Sequence, residues 1–462
     1  MSGVAAITNN PSAGWPRIAA YGAFGLPLAF AALPIYVHLP RLYGEFLGIP
    51  LAVLGAVLLF ARLGDALIDP ILGHLSDRWQ QSRPASGRRQ MILLTAPFFA
   101  LGVWLLLNPP AGAGVVWLTG TLALTYLGFS LLTITYQAWG AELADSTGQR
   151  SRLTAAREAF GLGGVMLAAT LPGLLAPELP RGLALMSSLF IPLLLACTLI
   201  SAFGSARPAR RGDEHIPATA GVTSIDTPSP SSFIGDLRHT LAQPAIRRLL
   251  VVFMVSGIAA ALPATLVMFY VADVLGAASA AGGFLALYFA AGLCGLPLWV
   301  RRARQRGTLN AWREGMLLAC LGFLAAPFLG TGDLLPFYLV CIVSGLALGA
   351  DLVLPSTHLA DLAASSPRTT ATCFGVWNFA TKLNLALAAG IALPLLALVG
   401  YQPGSTAPGN NIAALALLYG GLPLSGKLIA AFLLHRWRHE LAAETTVPVP
   451  IQTSLPMKAS PP

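Results

Sequence analysis

The chain has 462 residues, of which 55% are hydrophobic and only 10% are charged. Soluble domains carry about 25% charged residues, so these values exclude a single soluble fold. The net charge of +9 does not indicate a nucleic-acid partner, because the basic residues lie between long apolar segments instead of forming one basic domain. The expected surroundings of this protein are therefore a lipid bilayer.

Apolar stretches long enough to cross a hydrocarbon core of roughly 30 Å recur along the chain. In the first half they predict helices near 18–39, 48–75, 91–109, 114–143, 153–176 and 183–204. In the second half they predict helices near 249–274, 278–299, 312–332, 334–363, 371–399 and 411–435. The start of the chain is polar and enters the first apolar run at Arg17 without a cleavage site, which predicts a retained helix.

A polar segment separates the two sets of helices. Residues 205–247 contain RPARRGDEH and a stretch rich in Ser, Thr and Pro, so we expect a linker with one short amphipathic helix near 233–241. The predicted organisation is an N-terminal six-helix bundle (1–204), a cytoplasmic linker (205–247), a C-terminal six-helix bundle (248–438) and a disordered cytoplasmic tail (439–462).

The basic residues predict the orientation, because Lys and Arg near the ends of membrane spans resist translocation. The predicted helices divide the loops between two sides of the membrane. One side contains only two basic residues, Arg41 and Arg181. Most of the others fall on the other side, among them Arg78, Arg83, Arg88, Arg89, Arg150, Arg152, Arg301, Arg302, Arg304, Arg306, Arg368, Arg436 and Arg438. Both termini are therefore expected in the cytoplasm, with the chain in a bacterial inner membrane.

Two six-helix halves joined by a long linker resemble the layout of the major facilitator superfamily. The predicted fold class is an all-α membrane protein with twelve transmembrane helices in two six-helix bundles. Substrate sites in this layout lie near the midplane between the halves, although the fold alone does not name a substrate.

Charged and polar residues inside the predicted helices mark the candidate site. A charge at the bilayer centre costs about 2.5–3.5 kcal/mol, so such residues are expected to face each other or water. The four acids and two bases among them leave two excess negative charges, which a bound cation or proton could offset. The alternative is a set of structural ion pairs. The residues are Arg62, Asp65 and Asp69 in the second helix, Asp351, His358 and Asp361 in the tenth, and Asn378 and Lys382 in the eleventh.

A loop motif follows the second predicted helix. It reads GHLSDR from Gly73 to Arg78, and a GRR sequence closes the loop. Gly73 permits close helix approach, while Asp77 can accept hydrogen bonds at a helix N-terminus and pair with an arginine. The motif resembles the superfamily loop that latches the cytoplasmic gate, so Gly73, Asp77 and Arg78 are predicted gating residues.

Several longer motifs resemble the glycoside-pentoside-hexuronide:cation symporters. They are YGAFG, ARLGDALIDPILGHLSDR, YQAWGAEL, HLADL and FATKLN, and they occur in both halves of the chain. The resemblance implies a cation-coupling site at Asp65, Asp69 and Lys382. It also implies substrate contacts at Arg62, Trp139 and Arg157, to which the intramembrane residues Asp351 and Asn378 are added.

The chain departs from that family at three positions. Pro27 and Thr135 stand where the family has aspartates that bind sugar hydroxyls, so galactoside recognition is not expected. Ile68 stands where the family has an asparagine beside the second cation-site acid. The loss of that oxygen favours a proton over sodium, although sodium at Asp65 and Asp69 stays open because Thr133 offers a nearby hydroxyl.

The sequence therefore predicts a proton- or sodium-coupled importer of a small solute, with a sugar or glycoside as first choice and a lysolipid or other amphiphile as the alternative. A membrane-embedded transferase is less favoured, because Asp213, Glu214 and His215 lie in a polar linker of the kind that is solvated. No cofactor, resident metal or nucleic acid is expected, and the protein is predicted to be monomeric. The five cysteines are isolated within apolar segments, which indicates packing instead of disulfides or zinc.

Overall fold

The computed structural model describes residues 14–176, 178–205, 232–364, 366–401 and 411–443. These residues form twelve long helical segments and no β-strand. In the first half they are α1 in two pieces (Trp15–Ala23 and Gly25–Val37), α2 (Leu51–Ser82), α3 (Gly87–Leu107), α4 (Val115–Leu143), α5 (Thr147–Leu175) and α6 (Leu179–Gly204). In the second half they are α7 (Pro244–Phe269), α8 (Ala281–Arg306), α9 (Thr308–Leu324), α10 (Leu334–Ala364), α11 (Thr370–Leu398) and α12 (Ile412–Ala443).

Nine helices of the described residues are long and apolar enough to cross a membrane. The three others are α2 and α5, which carry several charges, and α9, which has 17 residues. All twelve segments occur in the predicted order. The prediction of an all-helical membrane protein is confirmed, and the predicted number of crossings is consistent with the structure.

Helix ends differ from the predicted ones mainly where the chain is charged. α2 continues past residue 75 to Ser82, and α8 continues past residue 299 to Arg306. α12 runs to Ala443, so the prediction that the tail begins at 439 is wrong for its first turn, and the rest of the tail lies outside the described residues. α7 begins at Pro244, inside the predicted linker. Hydropathy detects only the apolar part of a helix, whereas charged turns beyond the hydrocarbon remain helical.

The two halves meet closely where α2 crosses α11. A Cβ atom at Gly73 would lie 2.4 Å from the carbonyl oxygen of Ala371, and one at Gly375 would lie 2.5 Å from that of Asp69. Only glycine permits this approach, and small residues at helix crossings are typical of membrane bundles. The crossing lies towards the end of the bundle that carries most of the basic loop residues, which we call the arginine-rich end (Arg83, Arg150, Arg304, Arg368 and Arg438).

A short helix follows the undescribed part of the linker. This linker helix, Phe233–Ala242, lies where the sequence predicted one, and residues 206–231 before it are outside the described residues. The His74 Nδ1 atom of α2 is 2.9 Å from Asp236 Oδ2, and the Phe233 ring contacts the His74 ring edge-on. The linker helix therefore packs against the part of α2 that carries the predicted gating motif GHLSDR.

Candidate functional site

Three helices bring four polar side chains together between the halves. The Lys382 Nζ atom of α11 lies 2.7 Å from Asp65 Oδ2 and 2.7 Å from Asp69 Oδ2, both on α2. Ser130 of α4 donates to Asp65 Oδ1 at 2.6 Å and accepts from Lys382 Nζ at 2.9 Å. We call these four residues the Asp–Lys cluster.

Position along the helix explains why both acids reach one ammonium group. Asp65 and Asp69 are four residues apart, so they occupy the same face of α2, the face that packs on α11. Asp69 is fully buried and Asp65 nearly so. Two carboxylates and one ammonium leave the cluster with one negative charge in excess when all three are ionised, and such an excess is costly in a low-dielectric interior.

The side-chain oxygens of the Asp–Lys cluster are the atoms that could coordinate a metal ion. Among the described residues, no group of three or more His, Cys, Asp or Glu side chains is placed to hold a metal. The oxygens of Asp65, Asp69 and Ser130 converge, but Lys382 Nζ already contacts all three residues. A sodium ion needs several of these oxygens at once and therefore the withdrawal of Lys382, whereas a proton needs a single carboxylate oxygen.

A second buried ion pair lies in the C-terminal half. The Lys427 Nζ atom of α12 is 2.5 Å from Asp351 Oδ2 of α10 and 2.8 Å from Ser256 Oγ of α7. The indole of Trp312 donates to Asp351 Oδ1 at 3.0 Å. The Lys427 side chain is 2% exposed and that of Asp351 is 20% exposed, so the ammonium group is the more deeply buried member of the pair.

This pair corrects the predicted charge count. The predicted excess of two negative charges among the intramembrane residues leaves out Lys427 and Arg150. Asp351 is compensated by Lys427, and Asp361 by Arg150 at 2.8 Å. With Arg62 and Lys382 these two bases balance the four acids, and one negative charge in excess remains only within the Asp–Lys cluster taken by itself. Lys427 is a lone lysine within the apolar run LPLSGKLIAAFLL. The rule that singled out Lys382, an ionisable residue inside a predicted membrane span, also applies to Lys427.

The GHLSDR motif forms a buried network with the start of α11. Asp77 accepts hydrogen bonds from the backbone N–H groups of Ala371 at 2.8 Å and Thr372 at 2.7 Å. These donors have no acceptor within the helix, so the carboxylate caps the N-terminus of α11. A helix of the N-terminal half is thereby tied to one of the C-terminal half.

The arginine that pairs with Asp77 comes from the GRR sequence. Arg88 Nη2 is 2.7 Å from Asp77 Oδ1 and 2.8 Å from Glu142 Oε1. Arg88 is buried, whereas the predicted gating residue Arg78 is exposed and has no ion pair among the described residues. The ionic partner of Asp77 is therefore Arg88 and not its neighbour in sequence, Arg78.

Two more contacts join the halves near the arginine-rich end. Arg150 of α5 pairs with Asp361 of α10, and Asn378 Nδ2 of α11 donates to Gln137 Oε1 of α4 at 2.7 Å. Together with the contacts of Asp77 of α2 to the N-terminus of α11, these contacts hold the two halves together at this end.

Two of the other predicted substrate residues, Trp139 and Arg157, both contact Tyr21 of α1. Trp139 is buried edge-on against the Tyr21 ring at 6.1 Å, and Arg157 pairs with the adjacent Glu158 at 2.6 Å. Arg62 is exposed one turn before Asp65 on α2. Asp351 belongs to the second ion pair, so the prediction that it lies with Asp65, Asp69 and Lys382 is wrong.

Comparison with known proteins decides the family. The profile of a family described as MFS/sugar transport protein matches residues 18–439. The chain belongs to this family. The predicted resemblance to glycoside-pentoside-hexuronide:cation symporters of the major facilitator superfamily is confirmed.

Curated relatives match over shorter segments. The chain is 33% identical over 172 residues to an uncharacterized symporter of Synechocystis sp., covering 35% of this chain and 31% of that protein. It is 30% identical over 159 residues to a glucuronide carrier protein homolog of Escherichia coli, covering 32% of this chain and 33% of that protein. The chain thus spans about a third of the length of the curated relatives it matches.

Solved structures match nearly the whole chain in fold. The E. coli fucose:proton symporter FucP has 14% identity and a TM-score of 0.63, with 90% of this chain and 98% of that chain covered. A bacterial homologue of the iron transporter ferroportin, in an outward-facing state, has 15% identity and a TM-score of 0.63, with 92% and 100% covered. At these identities the likeness concerns the fold alone.

Proposed function

We propose that this protein is a cation-coupled symporter that imports a sugar or glycoside by alternating access. In this proposal the arginine-rich end faces the cytoplasm of a bacterium, both termini are cytoplasmic, and the working unit is a monomer without a cofactor. The Asp–Lys cluster carries the proposal, because Lys382 of one half lies between Asp65 and Asp69 of the other.

The charge of the cluster supports coupling to one monovalent cation. The excess of one negative charge disappears when one proton binds to Asp69 or Asp65, or when one sodium ion joins the oxygens. A neutral cluster can change its surroundings during alternating access at a lower electrostatic cost than a charged one. We propose a proton and Asp69 as its carrier, since Asp69 is the more deeply buried acid and Ile68 offers no side-chain oxygen beside it.

The position of the cluster between the halves supports a link between ion binding and movement. When Asp69 is neutral, Lys382 retains only Asp65 as an ionised partner, which weakens the bridge between α2 and α11. The contacts of Asp77 with α11 then remain as the main tie at the arginine-rich end. Loading of the cation therefore favours the rearrangement that transport requires.

The substrate class is proposed from the relatives. One of them is named a glucuronide carrier protein homolog, and the family is described as sugar transport. Arg62, Trp139, Arg157 and Asn378 are the proposed substrate residues in this chain. Asp351 is retained only as an indirect contributor, because its carboxylate is engaged by Lys427 and Trp312.

Counterflow into proteoliposomes tests the proposal. The purified protein is assayed with radiolabelled glucuronides, pentosides, hexosides and a lysophospholipid side by side. We expect exchange of at least one sugar derivative by the wild type. Asp69→Asn should lose accumulation driven by an ion gradient but keep counterflow, whereas Asp145→Asn, which alters an exposed acid, should behave as wild type. Transport of lysophospholipid alone would reject the sugar proposal, and undiminished accumulation by Asp69→Asn would reject the coupling site.

A further inference from the structure

A cavity of about 760 Å³ opens at the arginine-rich end between the two halves. Its walls come from the start of α5 in the N-terminal half, and from the α8–α9 turn, α10 and the end of α12 in the C-terminal half. This volume is in the range of sites for small molecules. Asp361 of the Arg150–Asp361 pair belongs to its wall, whereas no residue of the Asp–Lys cluster lines it.

Two helices begin at the wall of this cavity. The first turn of α5 contributes Thr147 and Gly148, and the first turn of α9 contributes Thr308 and Asn310. α9 starts after Gly307, which supplies no side-chain cap, so its first N–H groups lack an acceptor from a capping side chain. At α5 the Ser146 hydroxyl already accepts from the Gln149 N–H, so α5 mainly contributes its positive dipole end, whereas α9 also offers N–H donors to an anion.

Basic side chains add charge of the same sign. Arg304 and Arg438 line the cavity and have no carboxylate partner among the described residues. The one acid in the wall is Asp361, and Arg150 compensates it at 2.8 Å. The cavity therefore presents uncompensated positive charge to any ligand that enters.

A buried histidine supplies the observation that points to a ligand. His358 of α10 lines the cavity and is 4% exposed, and its Nε2 atom has no hydrogen-bond partner in the described part of the chain. A buried polar atom without a partner is unfavourable by about 1–3 kcal/mol in general. The His358 ring has a hydrogen bond with the Leu441 backbone, and its Nε2 atom has almost no accessible surface, so a ligand reaches this nitrogen only when the cavity wall adjusts. A ligand with an anionic group would satisfy the start of α9 and the arginines directly, and a hydroxyl group of the ligand would then satisfy this nitrogen.

We infer that this cavity binds a phosphate-bearing anion and that its occupancy holds the two halves together at the arginine-rich end. The wall from α5 and the walls from α8 to α10 belong to different halves. A ligand can therefore contact both halves at once only when this end of the bundle is closed. Such a ligand favours the closed state by its difference in affinity between the two states. Under the proposed topology the anion comes from the cytoplasm, and it would slow substrate release.

Binding is measured on the full-length protein in phosphatidylcholine nanodiscs, with glycerol 3-phosphate as the soluble probe. We expect saturable heat in calorimetry and a raised melting temperature. The variant Arg304→Gln/Arg438→Gln should weaken binding about tenfold or more. The matched control Arg301→Gln/Arg436→Gln removes the same charge from exposed positions of the same two helices that do not line the cavity, and it should bind as wild type.

A second arm distinguishes the source of the phosphate group. Nanodiscs that contain phosphatidylglycerol are compared with phosphatidylcholine discs in the absence of soluble phosphate. Binding of glycerol 3-phosphate in phosphatidylcholine supports a free metabolite as ligand. Stabilisation by phosphatidylglycerol alone, lost in Arg304→Gln/Arg438→Gln, supports a lipid headgroup. No binding in either arm, or equal binding by this variant and wild type, overturns the inference. These binding measurements do not depend on the proposed substrate or coupling ion.

Discussion

Lys427 Nζ lies 2.5 Å from Asp351 Oδ2 in the interior of the C-terminal half, and it joins the last helix to α10. Ser256 and Trp312 occupy further hydrogen-bonding positions around the pair. Removal of one partner from a buried ion pair costs about 3–5 kcal/mol, because the other charge stays buried without compensation. We therefore expect Lys427→Met and Asp351→Asn each to lower the melting temperature of the purified protein strongly.

The double variant Asp351→Asn/Lys427→Met separates electrostatics from packing. It removes both charges, so we expect it to recover much of the melting temperature lost in each single variant. A double variant as unstable as the sum of the single ones would contradict an ion pair in the folded protein.

Arg88 and Arg78 offer a matched comparison at the gate. Arg88→Gln leaves Asp77 and Glu142 without their ionic partner in a buried position, so we expect destabilisation of about 3 kcal/mol or more. Arg78→Gln changes an exposed residue and should stay within about 0.5 kcal/mol of wild type. Thermal unfolding followed by fluorescence size-exclusion chromatography checks both, and the reverse order of effects would reject the structural assignment of Arg88.

Asp77→Asn tests the tie between the halves. Asparagine keeps one acceptor oxygen but loses the charge that strengthens the bonds to the N-terminus of α11, each worth about 1.5–3 kcal/mol. We expect a shift towards states that are open at the arginine-rich end. Spin labels on Arg83→Cys and Arg301→Cys, in a background without the exposed Cys294, should report longer distances in the variant. An unchanged distance distribution would show that Asp77 does not hold this end closed.

The coupling ion is expected to be a proton with one ion per substrate molecule. The reason is the single excess negative charge of the Asp–Lys cluster and the presence of Ile68 beside Asp69. Substrate uptake into proteoliposomes should alkalinise the outer medium and should generate current when the substrate is neutral. A strong stimulation by an imposed sodium gradient at fixed pH, without alkalinisation, would replace the proton by sodium.

The topology is tested independently of transport. Most basic residues lie at one end of the bundle, so both termini should be cytoplasmic. Alkaline phosphatase fused after residue 443 should be inactive in cells, and green fluorescent protein fused there should fluoresce. The opposite pair of results would place the arginine-rich end outside.

The amino-acid sequence by itself determined the order of the helices and the acids that the bundle encloses. The apolar stretches reproduced the twelve helical segments because hydropathy reports local transfer into lipid, and a local property can be read from a local window. The spacing of four residues placed Asp65 and Asp69 on one face of α2 for the same reason. Gly73 was assigned to a close helix approach, and the structure has it against Ala371.

Only the tertiary structure decided which charge meets which. The pairs Asp351 with Lys427, Asp361 with Arg150 and Asp77 with Arg88 join different helices. Helical periodicity tells which residues share a face of one helix, but the rotation and depth of two packed helices depend on the shapes of all their neighbours. The local balance of charge is therefore a property of the assembled bundle, and in this protein Asp65 and Asp69 share the single ammonium group of Lys382.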